Sequence, residues 1–226
     1  MSPRISAPRV KRIDSGARRL YQRGVFELRG FYAVLDRDDE DLARLLAKYA
    51  CVLQVRLKPR GKRVDLEDIV RVARMARRVC DAVGIPLVVN DRVDVALIAG
   101  ADGVHLGQTD LPITEARVLA GDRLFVGVST HDLEQVRAAR AAGADYLGFG
   151  PVFATSTKEN PDLVQGIAGL RGAVSAAGTI PIVAIGGITT DHVAAVFATG
   201  VAGICAISAV TEAADREAAA RLFARG

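Results

Sequence analysis

Residues 99–107 read AGADGVHLG and residues 142–150 read AGADYLGFG, near copies of one pattern: helix end, glycine, small residue, short apolar run. A third version, TGVAGICAIS, spans residues 199–208. Glycine just past a last helical turn supplies a left-handed cap, so each copy reads as a helix end feeding the next strand. Outward from these copies the same alternation repeats from Gly30 on. The runs FYAVL, CVLQV, PLVVN, DGVHL, RLFVGV, ADYLGF, PIVAI and AGICAI are each followed by a longer stretch of 3.6-residue periodicity, as in LEDIVRVARMARRVCDAVG. That predicts eight strands and eight helices. Parallel strands buried on both faces read as continuous apolar runs, and eight βα units close on themselves. An open doubly wound sheet would give the same echo, but the count of eight favours an α/β fold of the (βα)8 TIM barrel type, a single domain over residues 30–226.

Composition agrees. Half of the 226 residues are apolar, enough for one large core, yet aromatics are only 5% and tryptophan is absent. The core must then be built of Val, Leu, Ile and Ala. Cys51, Cys80 and Cys205 show no CxxC spacing and lie among aliphatic residues, so they read as buried small hydrophobes in a reducing compartment. No apolar run is long enough to span a bilayer and no signal h-region opens the chain, so the expectation is a cytoplasmic protein without a membrane contact. Residues 1–29 form a basic lead. Residues 1–30 hold eight Arg or Lys against Asp14 and Glu27, and since the whole chain is only +4 the remainder is slightly acidic. A basic lead could serve nucleic acid, but with only Tyr21 and Phe26 interleaved it reads as a solvated segment, and no nucleic-acid partner is expected.

In a barrel the chemistry sits on loops after the strands, and here those loops are polar. Gln54, Arg56 and Lys58 alternate with Val55 and Leu57, which puts an amide and two cations on one face. Inward cations need an anion. Asp91 and Asp110 follow neighbouring strands; each alone could cap the next helix, but as a pair opposite cations they suit Mg²⁺, which takes one or two carboxylates and fills its octahedron with water and phosphate oxygens. In GFGPVFATSTKEN, residues 148–160, Thr155, Thr157 and Lys158 supply hydroxyl donors and a point charge for a second anion. Gly186, Gly187 and Ser208, after the last two strands, lie where barrels commonly hold phosphate. His105 in a strand and His192 in a helix read as packed or solvated, and His131 at the rim as a substrate contact.

These motifs together, QVRLK, NDRVDVAL, GADGVHLGQTDLP, GVSTH, GADYLGFGPVFATSTK, AIGGIT and the Ile-Ser pair after strand eight, resemble the thiamine phosphate synthase family from about Gly30 to the C-terminus. The resemblance implies a TIM barrel enzyme, a Mg²⁺-dependent transferase that joins a pyrimidine diphosphate to a thiazole phosphate and releases pyrophosphate. It implies that Gln54, Arg56, Lys58, Asn90, Ser129 and Lys158 bind the pyrimidine diphosphate, with Arg56 and Lys158 catalytic. It gives Asp91 and Asp110 to the metal, and Thr155, Thr157, Gly187, Ile207 and Ser208 to the thiazole phosphate.

The chain departs from that pattern at three places: Leu57 where the family usually has glutamate, the segment ENPDLVQG after Lys158, and the basic lead. Two other readings share the barrel. A thiazole tautomerase-like enzyme would lack the carboxylate pair with the TxTK loop, and a non-catalytic precursor-binding paralogue finds encouragement only in Leu57 and the lead. The oligomeric state is left open, a homo-oligomer included.

Overall fold

Each strand is covered twice, by a helix layer outside and by the barrel's own interior within, so both faces are mostly apolar. The computed structural model describes residues 28–57, 64–155 and 163–224. Its strands are β1 (Gly30–Leu35), β2 (Val52–Val55), β3 (Leu87–Asn90), β4 (Gly103–Leu106), β5 (Phe125–Thr130), β6 (Tyr146–Phe149), β7 (Ile182–Ile185) and β8 (Gly203–Cys205). All pair in parallel with their sequence neighbours, and β8 returns to β1 to close the barrel. The helices are α1 (Glu40–Tyr49), α2 (Leu66–Val83), α3 (Val93–Ala99), α4 (Ile113–Ala120), α5 (Leu133–Ala141), α6 (Gly166–Ala177), α7 (Val193–Phe197), α8 (Ser208–Thr211) and α9 (Arg216–Phe223). The eight βα units are as expected. The helix count is not: the last unit carries two helical segments, because the chain leaves α8 at Glu212 and restarts where the Asp215 carboxylate accepts from Ala218 N.

The repeated AGAD motif has a second job beside the cap. Gly100 holds φ 67° and Gly143 φ 82°, the left-handed conformation the motif needs. Two residues further on, Asp102 and Asp145 each clasp one residue of another strand. Leu87 N donates to Asp102 Oδ2 at 2.8 Å while Asp102 N donates to Leu87 O. Val126 N donates to Asp145 Oδ2 at 2.6 Å while Asp145 N donates to Val126 O. Each carboxylate also pairs with an arginine of the helix layer, Arg77 for Asp102 and Arg117 for Asp145.

Inside the barrel, side chains of one strand parity form a separate core: Leu28, Tyr32, Val34, Val52, Val88, Phe125, Tyr146, Val183 and Cys205. The other parity, such as Phe31, Leu53, Val89 and Leu147, packs against the helices. Leu28 is 5% exposed, so the barrel's interior takes up a residue that the sequence had assigned to the basic lead. Residues 1–27 lie outside the described residues. Large rings fit the interior because glycines face them: a Cβ at Gly103 would overlap the Phe125 ring, and one at Gly127 the Tyr146 ring. Cys80 and Cys205 are buried, Cys51 is partly so, and all three are free thiols. Among the described residues, no helix is long and apolar enough to cross a membrane.

Candidate active site

Strand parity decides what reaches the interior. Gln54 lies between outward Leu53 and Val55, is 3% exposed, and donates from Nε2 to Tyr32 Oη at 3.1 Å. Arg56 N still pairs with Leu35 O, so the extended chain continues past β2 and carries Arg56 to the side of Gln54. Leu57 packs against the outer core. The residue that departs from the family's usual glutamate therefore faces away from the inward amide and cation. Lys58 lies outside the described residues.

Asn90 ends β3, and Asp91 follows it with φ 63°, the one left-handed non-glycine among the described residues. Such backbone is costly for a residue with a Cβ and is typical of functional sites. Asp91 N donates to His105 O, which fastens the turn to β4. Neither Asp91 nor Asp110 caps the helix after it: the N-cap positions of α3 and α4 are Arg92 and Pro112, with no side-chain cap bond at either. Asp110 Oδ2 instead accepts from Gly107 N at 2.7 Å, closing the turn after β4. The two carboxylates thus end adjacent strands, and among the described residues no group of three or more His, Cys, Asp or Glu could hold a metal. A donor set of two carboxylates is too sparse for a caged transition metal. It fits a hard cation that keeps water and substrate oxygens.

Ser129, on β5, faces inward and leads to a polar chain that the sequence did not disclose. Its Oγ lies 2.9 Å from His105 Nε2, His105 Nδ1 lies 2.8 Å from Tyr146 Oη, and Tyr146 Oη lies 2.7 Å from Tyr32 Oη. With Gln54 on Tyr32, the chain crosses the interior from β2 to β5. Burial first, and then the Arg56 charge, lower the His105 pKa to about 4, so the ring is neutral at ordinary pH. Burial likewise pushes Tyr32 and Tyr146 well above the usual phenol range. The expectation that His105 is packed holds in part: the residue is half-buried, and its ring also contacts a site residue, Ser129. The signal available was parity: His105 is two residues from Gly103, which faces Phe125.

The stem of the loop after β6 is stitched to the end of β7. Val152 N donates to Ile185 O and Phe153 N to Gly186 O, each at 2.9 Å. Gly186 and Gly187 hold φ 97° and 64°, and a Cβ on Gly187 would overlap Ala154 O, so these glycines let the two loops touch. Thr155 stands at the end of this stem; Thr157 and Lys158 lie outside the described residues. His192 stacks on Phe153 with ring centroids 3.9 Å apart, and its Nδ1 accepts from Thr189 N. His131 Nδ1 meets Gly150 O at 2.6 Å, so that nitrogen braces the end of β6. Ile207 and Ser208 begin α8 beside the β7 glycines, across the β7–β8 pair. Seven strand ends thus carry the polar rim, and the structure brings Gln54 and Ser129 together through a chain of hydrogen bonds.

Comparison with known proteins gives the rim a context. Residues 31–210 match the family model described as thiamine monophosphate synthase. The thiamine-phosphate synthase of Chloroflexus aurantiacus is 48% identical over 172 residues, covering 76% of this chain and 77% of that protein. That of Anaeromyxobacter dehalogenans is 49% identical over 172 residues, covering 76% and 74%. The solved thiamine phosphate pyrophosphorylase from Pyrococcus furiosus superposes with a TM-score of 0.77 at 34% identity, over 87% of this chain and 94% of that one. A 3-hexulose-6-phosphate synthase with a TM-score of 0.61 at 20% identity shares the fold alone.

Proposed function

We propose, from the premise that the chain belongs to the thiamine monophosphate synthase family, that its rim joins 4-amino-2-methyl-5-(diphosphooxymethyl)pyrimidine to 4-methyl-5-(2-phosphooxyethyl)thiazole, giving thiamine phosphate and pyrophosphate. The observation that carries this reading is the placement of Gln54, Asn90, Asp91, Asp110, Ser129 and Thr155 at the ends of successive strands around one mouth. Three unpaired thiols are in keeping with a cytoplasmic setting.

In this mechanism the C–O bond between the pyrimidine methylene and the diphosphate breaks first, both electrons leaving with oxygen. The thiazole nitrogen then forms the new C–N bond to the cationic methylene. No covalent nucleophile is needed, so the chain's work is to offset charge on the leaving group and to align two partners. Arg56, Lys58 and Lys158 are the cations facing the diphosphate, with Gln54, Asn90 and Ser129 on the pyrimidine side. Thr155, Thr157, Gly187, Ile207 and Ser208 hold the thiazole phosphate through hydroxyls and backbone amides. Asp91 and Asp110 would hold Mg²⁺, which neutralises charge on the departing diphosphate. Since Thr155, Thr157 and Lys158 are near neighbours in sequence, one short stretch would set the distance between the two substrates.

The test is to incubate the chain with both substrates and Mg²⁺ and identify products by mass. Thiamine phosphate should form only when both substrates are present. A changed thiazole phosphate without coupling would point to the tautomerase chemistry instead.

A further inference from the structure

Gln54, Tyr32, Tyr146, His105 and Ser129 form an unbroken file through the barrel interior, at successive separations of 3.1, 2.7, 2.8 and 2.9 Å. Its two ends are the inward groups placed above on the pyrimidine, and its middle is buried, Tyr32 at 3% exposure and Tyr146 at 0%. A phenol has one proton, and a neutral imidazole has one N–H and one lone pair, so a file in which each group gives its proton to the next runs in a single direction throughout. His105 meets a phenol at Nδ1 and a hydroxyl at Nε2, neither of them a charged partner, which suits a neutral ring. Gln54 turns Nε2 toward Tyr32. A direction set by that amide has Tyr32 giving its own proton to Tyr146, and Tyr146 giving its proton to His105 Nδ1. His105 therefore carries hydrogen on Nε2 and donates it to Ser129 Oγ, which leaves the serine proton for the site.

We propose that this one-way relay presents the Ser129 hydroxyl as a donor to the bare ring nitrogen beside the amine of the pyrimidine, with Tyr32, Tyr146 and His105 as positioning residues that select the 4-amino over the 4-oxo ring. The 4-oxo ring carries a proton on that nitrogen and would set N–H against O–H. Rejecting it follows from a site whose buried polar groups have fixed roles. Reversal needs the Gln54 amide turned over, so that its carbonyl faces Tyr32 and every later proton shifts by one place. The proposal deepens the coupling reaction and rests on it for the identity of the ring, but the direction of the relay is a property of the substrate-free chain.

The experiment reads the ¹⁵N resonances of His105 in the substrate-free chain. The native protein should show hydrogen on Nε2 and a bare Nδ1. In Gln54→Glu, studied where the ¹³C shift of the introduced carboxyl shows it ionised, the end of the file can only accept, so the hydrogen should move to Nδ1. Adding Tyr32→Phe to Gln54→Glu cuts the link and should restore the native tautomer. In coupling assays the native chain should favour the 4-amino substrate by at least about 100-fold in kcat/KM. Gln54→Glu should reduce that ratio by about tenfold or more while the KM for thiazole phosphate stays put. Hydrogen on Nδ1 in the native chain, or on Nε2 in Gln54→Glu, would overturn the relay. Failure of the native chain to couple the substrates would overturn the functional reading instead, and leaves the tautomer measurement to decide the relay alone.

Discussion

Asp102 and Asp145 stand in the same relationship to different strands: each exchanges two hydrogen bonds with one residue, Leu87 or Val126, and holds one arginine of the helix layer. Truncation would leave a strand N–H without its acceptor, and Arg117 without its carboxylate, while Arg77 keeps Asp81. Asp145→Ala should therefore cost about 2 kcal/mol of unfolding free energy, the scale of a hydrogen bond to a charged group, and Asp102→Ala a similar amount. Urea melts check this, with coupling activity at low denaturant unchanged.

Deleting residues 1–27 should leave both melting and coupling close to those of the full chain, because Leu28 remains to fill the barrel interior. Leu28→Ala should not be silent. It opens a cavity among Val52, Val183 and Gly203 neighbours and should cost about 2–3 kcal/mol. Thermal melts of the two proteins separate the lead from the barrel floor.

The stacked pair of Phe153 and His192 holds the stem that leads to Thr155. Phe153→Ala removes both the stack and the packing, so the KM for thiazole phosphate should rise by up to about tenfold, the equivalent of an aromatic pair of about 1.4 kcal/mol. The KM for the pyrimidine should barely move. Kinetics with each substrate varied in turn decide it.

Protonating His105 should destabilise the fold. Its pKa falls from 6.5 to about 4 on folding, chiefly by burial, so the unfolded chain binds the extra proton between those values. Stability from this group is complete above pH 6.5 and is lost as pH falls toward 4, on the order of 3 kcal/mol in all. Urea melts at pH 7 and pH 4.5 in magnesium-free buffer should show the loss in the native chain, and a smaller loss in His105→Gln.

How much of this was legible in the sequence follows from where polar groups lie. Gln54, Asp91, Asp110 and Ser129 stood out because they interrupt or end apolar runs. Tyr32 and Tyr146 did not, since a tyrosine within FYAVL or ADYLGF looks like more core, and in a parallel barrel both parities are apolar. Their joining depends on register, Gly127 opposite Tyr146 and Ser129 opposite Gly148, which composition does not encode. The AGAD repeat announced the caps through its glycines. The clasp made by its aspartate depends on a strand far away in sequence, and so had no local signature. The burial of Leu28 in the interior had no signal for a similar reason: one leucine after a basic stretch carries no periodicity.

Pyrophosphate release measured alongside thiamine phosphate formation, across a Mg²⁺ titration, tests the central claim most directly. The native chain should release the two products one for one, only with both substrates and only with Mg²⁺, while Asp91→Asn and Asp110→Asn should lose several orders of magnitude in kcat with unchanged circular dichroism. Pyrophosphate released without thiamine phosphate, or either variant turning over at the native rate, would contradict a coupling enzyme whose two rim carboxylates hold the metal.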